Sequence, residues 1–478
     1  MVRPSAAMGG FHHDGVWWNP RDPAKQWIGT LQFDERDGAL LTVTVPEERP
    51  NPFPSLQTYD LILGVTSNGQ AITLIGCYDR LTHGSLFGVP RRIEIAANAL
   101  IVGFHCDNPD PLLSAVSVSL RHLDDWWGRS GIESDPSVKY PDLVVRYRST
   151  APLLVHDDGR FCVSIRPAVS GSFGNHRASL REDIRIEIKA SSPSSLSDFQ
   201  RLAQACGDFL SIVCLTFCET EELSLVPPAA DGGAKQIGTF HAVPVYRSRE
   251  GRSSALPHML FRFSDIEGRA PELLGAWLTQ AKELFDTRAL YFSGVYGQGF
   301  IEGKFLALTQ AVEAFHRRFY PGLYMEQAAF ETEVLEPLKA AIPASIDDSL
   351  RRAIASRLKF ANEYSQRRRM RDLFREYAEV LRALVEAPET YVSLIVDHRN
   401  AFTHFPPAAR DAGDGVNSRD PKRAPPVLLY NLLLRLLLES CFLKAMGFST
   451  QQIAILVSRS DMYRQLSGRF GGRTDAPR

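Results

Sequence analysis

The chain has 478 residues, 44% of them hydrophobic and 23% charged, with a formal net charge of −1. A chain this long outgrows a single core and points to two or more domains. A charge near zero excludes a globally basic nucleic-acid binder or a strongly charged membrane-surface protein, so any basic surface is local.

Residues 1–15 lack the apolar core of a signal peptide, and seven cysteines in a long chain do not read as a disulfide framework. The expectation is a cytoplasmic, reducing location. From Trp27 to about Phe263 the hydrophobic pattern alternates with period two, over 26–33, 40–45, 71–75, 115–120 and 183–188. Asp37-Gly38, Asn68-Gly69 and Asp158-Gly159 supply turns between such runs. This predicts an antiparallel sandwich or barrel-like domain. The stretch 195–217 breaks the pattern: Ser195 can cap a helix, and Leu202, Cys206, Phe209, Leu210 and Val213 follow at helical spacing. It reads as one helix packed on the sheets. Its Cys206, Cys214 and Cys218 have no Cys-x2-Cys or His pair to complete a tetrahedral metal site, so buried thiols are expected. The pairs Trp17-Trp18 and Trp126-Trp127 can stack sugars or bases, but packing at sheet edges is the commoner use of such aromatics.

From about Leu273 the period becomes 3.6. The spacing predicts helices over 271–285, 301–319, 324–340, 346–362, 371–385, 389–404, 427–446 and 449–466, a helical bundle with short connections. The glycine-rich 294–304 imitates a phosphate loop, but Gln298 stands where that loop needs glycine, and Phe305 replaces its Ser or Thr; it reads as an interdomain linker. Residues 427–446 are the most apolar long segment, yet Asn431, Arg435, Glu439 and Lys444 argue for a buried helix and against a bilayer span. The fold class is α+β multidomain: a β-rich antiparallel domain over 11–290, an all-α bundle over 300–466 and a disordered tail over 467–478. The Pro- and Gly-rich 406–426 is expected to be a mobile loop.

Two constellations in the helical half bear on chemistry. Arg367, Arg368, Arg369 and Arg371, after Arg351, Arg352, Arg357 and Lys359, form either a local track for RNA phosphates or a solvated face offset by Glu363, Asp372 and Glu376. The second is Arg399-Asn400-Ala-Phe-Thr-His404, on the last turns of an apolar helix that Pro406 and Pro407 stop. At about 100° per residue, Arg399 and His404 project about 140° apart, while Asn400 and His404 share a face. One helix does not converge the two on a single atom; two such helices across a cleft can. The negative end of the helix dipole favours a protonated His404. A proton-transfer histidine beside a guanidinium suits phosphodiester cleavage, whereas an ordinary helix end would cap its carbonyls with His404 and pair Arg399 with Asp397 or with a neighbouring helix.

The segment IVDHRNAFTH, residues 395–404, resembles the signature helix of HEPN domains, which carry Arg and His four to six residues apart with a polar residue after the Arg. FLALTQAVEAFHRRFY (305–320) and RLKFANEYSQRRRMRDL (357–373) are similar to helices of the ApeA-like HEPN group, with Glu313 in the place of its acidic residue. DGVWWNP, KQWIGTLQFDERDGALLTVTV and LRHLDDWWG resemble the ApeA N-terminal domain. The resemblance implies a bacterial anti-phage protein. Its HEPN half would be a metal-independent endoribonuclease, dimeric through that half with both motifs in one cleft and acting on RNA, tRNA being one candidate. It implies Arg399 and His404 as the catalytic pair, Asn400 and Glu313 in support, no cofactor and no metal. A Tyr that silences some HEPN toxins is replaced here by Pro406, so restraint is expected from the N-terminal domain, which would sense a phage-derived trigger. Two other readings stay open: a non-catalytic RNA-binding or dimerisation module, and a ligand-binding β-domain in which the Trp pairs matter.

Overall fold

A computed structural model describes residues 10–34, 36–45, 56–83, 91–135, 137, 144–176, 178–229, 236–243, 258–404 and 426–470. The chain divides into two compact units, one ending at Leu278 and one beginning at Thr279.

The first unit is built on antiparallel strands. β1 (Phe11–Asn19), β2 (Asp22–Asp34), β3 (Gly38–Val45), β4 (Thr58–Thr66), β5 (Ala71–His83) and β6 (Arg91–Val102) pair in the cyclic order 1-2-3-6-5-4. Because β6 pairs with both β3 and β5, and β4 returns to β1, the barrel closes and leaves no edge. The period-two pattern supplies its interior: Trp17, Leu31, Leu41, Val43, Ile62, Ile72, Leu74, Ile95 and Leu100 are buried together. Gly38, Gly69 and Gly159 adopt positive φ at the expected turns, a conformation that costs glycine little.

The same sheet continues beyond the barrel from β6, in the order β14-β13-β7-β12-β11-β10. The added strands are β7 (Leu112–Leu120), β10 (Leu153–Asp157), β11 (Phe161–Phe173), β12 (Ala178–Ser195), β13 (Thr220–Val226) and β14 (Gly238–Ala242). A small hairpin, β8 (Ile132–Ser134) and β9 (Val145–Tyr147), stands apart from it. Strand β12 runs straight into helix α2 (Leu196–Val213), whose cap is the expected one: Ser195 Oγ accepts from Asp198 N. Among the described residues three further helices, α1 (Leu123–Trp127), α3 (Phe263–Ile266) and α4 (Ala270–Thr279), accompany α2 in this unit, where α2 alone was expected. The Trp277 indole of α4 donates to Ala205 O of α2 at 2.8 Å, so the helical period starting near Leu273 does not coincide with the change of unit. Trp17, Trp126 and Trp127 are buried and Trp18 packs edge-on to His105, the packing role for both Trp pairs. Cys206, Cys214 and Cys218 are buried thiols. Contact with Cys218 and burial push the Cys214 thiol well up.

The second unit is helical. It contains α5 (Phe285–Tyr296), α6 (Ile301–Phe319), α7 (Gln327–Phe330), a π turn (Glu331–Leu335), α8 (Glu336–Ala340) and α9 (Asp348–Leu358). It continues with α10 (Gln366–Glu376), α11 (Ala378–Leu381), α12 (Tyr391–His404), α13 (Pro426–Met446), α14 (Thr450–Arg459) and α15 (Asp461–Phe470). The stretch expected to link domains is instead the corner of the α5–α6 hairpin. Gly294 lies inside α5, and a Cβ there would come within 2.6 Å of Leu308 Cγ, so glycine permits close helix contact. Helix α13 is buried on nearly all sides, through Leu433, Leu434, Leu437, Phe442 and their neighbours, as a helix apolar all round must be. Among the described residues no helix is long and apolar enough to cross a membrane. The segment 406–425 and the tail beyond 470 lie outside the described residues.

Candidate functional site

Helix α12 follows a short 3-10 turn (Pro388–Thr390). Its inner face is Tyr391, Val392, Ile395 and Val396, all buried, and it ends in aromatic packing. Phe402 meets Phe305 of α6 edge-on at 5.9 Å, and the His398 ring meets Tyr430 of α13 at 5.2 Å. His398 Nδ1–H donates to Leu394 O at 3.1 Å, which spends that nitrogen on the helix backbone.

Arg399 follows the buried positions and is half-buried, while Asn400 is exposed. The Arg399 guanidinium donates to Asn400 Oδ1 at 3.3 Å. Among the described residues no carboxylate lies within ion-pair reach of Arg399. Asp397, the acid that an ordinary helix end would offer it, is bound instead by Arg367 of α10 at 2.6 Å. Arg367 also donates to Ser393 Oγ at 3.1 Å. Helix α12 continues through His404, whose side chain lies outside the described residues, as does Pro406. The backbone therefore keeps the angular relation expected of Arg399 and His404 on one helix.

The four arginines of α10 do not act alike. Arg369 is 2% exposed. It donates to Tyr364 O at 3.0 Å and to Gly322 O and His316 Nδ1 at 3.3 Å each. Those bonds clamp the neck of the α7–α9 excursion, where Leu323 bridges Glu363 and the buried Asn362 bonds both Met325 N and Met325 O. A guanidinium with its donors committed inside the protein does not reach an RNA backbone, so Arg369 leaves the expected RNA-binding group. Burial, and next the neighbouring Arg369 charge, hold His316 below the ordinary histidine range. Arg368 pairs with Asp372 at 3.0 Å and lies over the Tyr364 ring. Arg371 is half-buried and has no ion-pair partner among the described residues.

Glu313 is held by Arg317 at 3.1 Å, and Arg317 also reaches Glu363 at 2.6 Å. Glu313 lies two turns beyond Phe305 on α6, about 12 Å along the axis from where Phe402 packs. Among the described residues no hydrogen bond or ion pair joins Glu313 to Arg399 or Asn400; Glu313 is held by Arg317 and Arg399 by Asn400. The link the sequence reading missed is Arg367 to Ser393 and Asp397. Its signal was a polar pair, Ser393 and Asp397, four residues apart and so on one face of the helix.

Residues 12–277 match the family model of ApeA N-terminal domain 1, more than half of the chain, and residues 306–452 match that of Apea-like HEPN. No curated protein and no solved structure matches the chain.

Proposed function

The chain belongs to the ApeA-like HEPN proteins, and from that premise we propose that it is an anti-phage endoribonuclease. HEPN domains are generally ribonucleases that bind RNA and dimerise. In this reading the helical unit cuts RNA and the β-rich unit restrains it until a phage-derived signal arrives. The observation that carries the assignment is Arg399: a half-buried guanidinium at the end of an apolar helix, with a neutral Asn400 amide as its partner and Asp397 taken up by Arg367. An arginine left without a carboxylate keeps its donors for a phosphate.

The substrate supplies the nucleophile. His404 takes the proton of a ribose 2′-hydroxyl as its oxygen attacks the adjacent phosphorus, and a proton returns to the departing 5′-oxygen. Arg399 stabilises the charge that builds on the phosphorane oxygens, and Asn400 orients Arg399. The products are a 2′,3′-cyclic phosphate and a 5′-hydroxyl. Two copies of α12 facing one cleft would bring Arg399 of one protomer to His404 of its partner, which the angle on a single helix does not do. Arg368 and Arg371 remain the candidates for holding flanking phosphates.

The test is end-mapped RNA sequencing of cells producing wild type or His404→Ala, with and without phage, beside cleavage of the purified protein in EDTA. Cyclic-phosphate ends that vanish in His404→Ala, and cleavage that survives EDTA, are expected. Full cutting by His404→Ala, or cutting of DNA, which lacks the 2′-hydroxyl, overturns the reading in favour of a non-catalytic module or another mechanism.

A further inference from the structure

Helix α12 has a polar row separate from Arg399. At about 100° per residue, the backbone positions of Ser393, Asp397, Asn400 and His404 fall within about 60° of one another. Arg399 lies about 130° from the middle of that row, beside the buried Val392 and Ile395. Among the described residues, one side chain from outside the helix binds this row: Arg367. It donates to Ser393 Oγ at 3.1 Å and to Asp397 Oδ1 at 2.6 Å, bridging two positions one helical turn apart.

We propose that Arg367 is a positioning residue for cleavage, holding α12 by the face that ends in Asn400 and His404. The inner face of α12 packs through Tyr391, Val392, Ile395 and Val396. Apolar contacts of that kind are non-directional and leave the helix free to roll or slide slightly. A planar guanidinium bonded to two groups one turn apart is directional and fixes both motions. Asp397 and His404 are seven residues apart, about 10.5 Å along the helix. Arg367 is therefore remote from the reacting atoms and acts through the helix. The same bonds hold Asp397, so Arg367 spends its donors on the protein and not on RNA. Both side chains are exposed, 39% for Arg367 and 62% for Asp397; such pairs add little to global stability, so loss of the pair is read in the local order of α12 and not in unfolding of the whole chain.

This inference rests on the ribonuclease reading, and one experiment separates the two. Full-length Arg367→Ala, Asp397→Arg and the exchange variant Arg367→Asp/Asp397→Arg are compared with wild type by RNA cleavage and by amide hydrogen exchange of α12. Arg367→Ala is expected to lower kcat about 10- to 100-fold, the scale of a misplaced catalytic group, with KM within about twofold. It should also speed exchange over 393–404 and not in α13. The exchange variant should recover most of kcat and of the protection. A rise in KM that the exchange variant does not recover means that Arg367 contacts RNA itself, and overturns the proposal. So does unchanged protection of α12 in Arg367→Ala. If wild type does not cut RNA, the ribonuclease reading falls, while the exchange measurement still decides whether Arg367 holds the helix.

Discussion

Two sets of arginines in the helical unit differ in what surrounds them. Arg435 of α13 bonds the buried Glu439 carboxylate at 2.7 Å, and the same carboxylate accepts from Tyr291 Oη at 2.7 Å and from Tyr463 Oη. Burial, and next the Glu439 charge, push both phenols well up. Arg369 is likewise committed, to two carbonyls and His316. Arg399, by contrast, ends beside a neutral amide. All three are arginines on helices, and composition does not separate them. The difference lies in whether the fold supplies acidic or carbonyl acceptors: where it does, the charge is part of the architecture, and where it does not, as at Arg399, the charge stays without a carboxylate among the described residues.

The sharpest break in that contrast is expected at Glu439. Glu439→Ala leaves Arg435 and two buried phenols without their shared acceptor and should destabilise the helical unit by about 3–5 kcal/mol, measured by urea unfolding with exchange of the α13 amides. A cost below about 1 kcal/mol would mean that water solvates Arg435 and that the contrast with Arg399 is false. Next in size, Arg399→Ala should lower the rate of RNA cleavage about 100- to 1,000-fold, with melting unchanged and His404→Ala at least as low. Arg399→Lys should be nearly as damaging, because lysine keeps the charge but loses the planar fork. Arg369→Lys should do the reverse, lowering the melting temperature while folded molecules keep their kcat. If Arg399→Lys cuts normally, Arg399 is an ordinary helix-end cation.

A smaller effect separates the two units by pH. Burial pushes His241, whose ring packs against Phe11 and Phe33 in the first unit, down to about 4. The folded-state value lies below the unfolded one of about 6.5, so between the two the unfolded chain binds the extra proton. Stability of the β-rich unit should therefore fall as pH drops from about 6.5 to about 4, by at most about 3 kcal/mol. His241→Phe should flatten that slope, and an equal slope in the variant would assign the pH dependence elsewhere. Smallest of all, Arg368→Ala and Arg371→Ala should each reduce the salt dependence of RNA binding by about 0.7 in log–log slope and spare kcat. An unchanged slope for both would remove the last of the α10 arginines from the RNA surface.

The barrel was legible because alternation is a local signal. Trp17, Leu31, Leu41 and Leu74 point inward wherever their strands pair, and Asp37-Gly38 and Asn68-Gly69 announce their turns. Closure was not legible, since it depends on β6 pairing with β3 and β5 together, contacts remote in sequence. Helix α6 runs Ile301–Phe319 as its pattern predicts, because its buried positions repeat at helical spacing along one face. The helix expected over 271–285 ends at Thr279, and its Trp277 bonds Ala205 O of α2, a partner that no local pattern names. The angle between Arg399 and His404 was also legible, being a property of any α-helix.

What the sequence by itself determined, then, is whatever one element decides alone: period, caps, turns, and which residues share a face of α12. What only the tertiary structure decided is the state of each charge. Arg367, Arg368, Arg369 and Arg371 are nearly consecutive, yet one grips α12, one pairs along its own helix over an aromatic ring, one is buried on backbone carbonyls and one is half-exposed. A guanidinium's energy is set by the acceptors and the water within a few ångströms of it, and those come from Ser393, Asp397, Gly322 and Tyr364 on other elements, which only folding brings near.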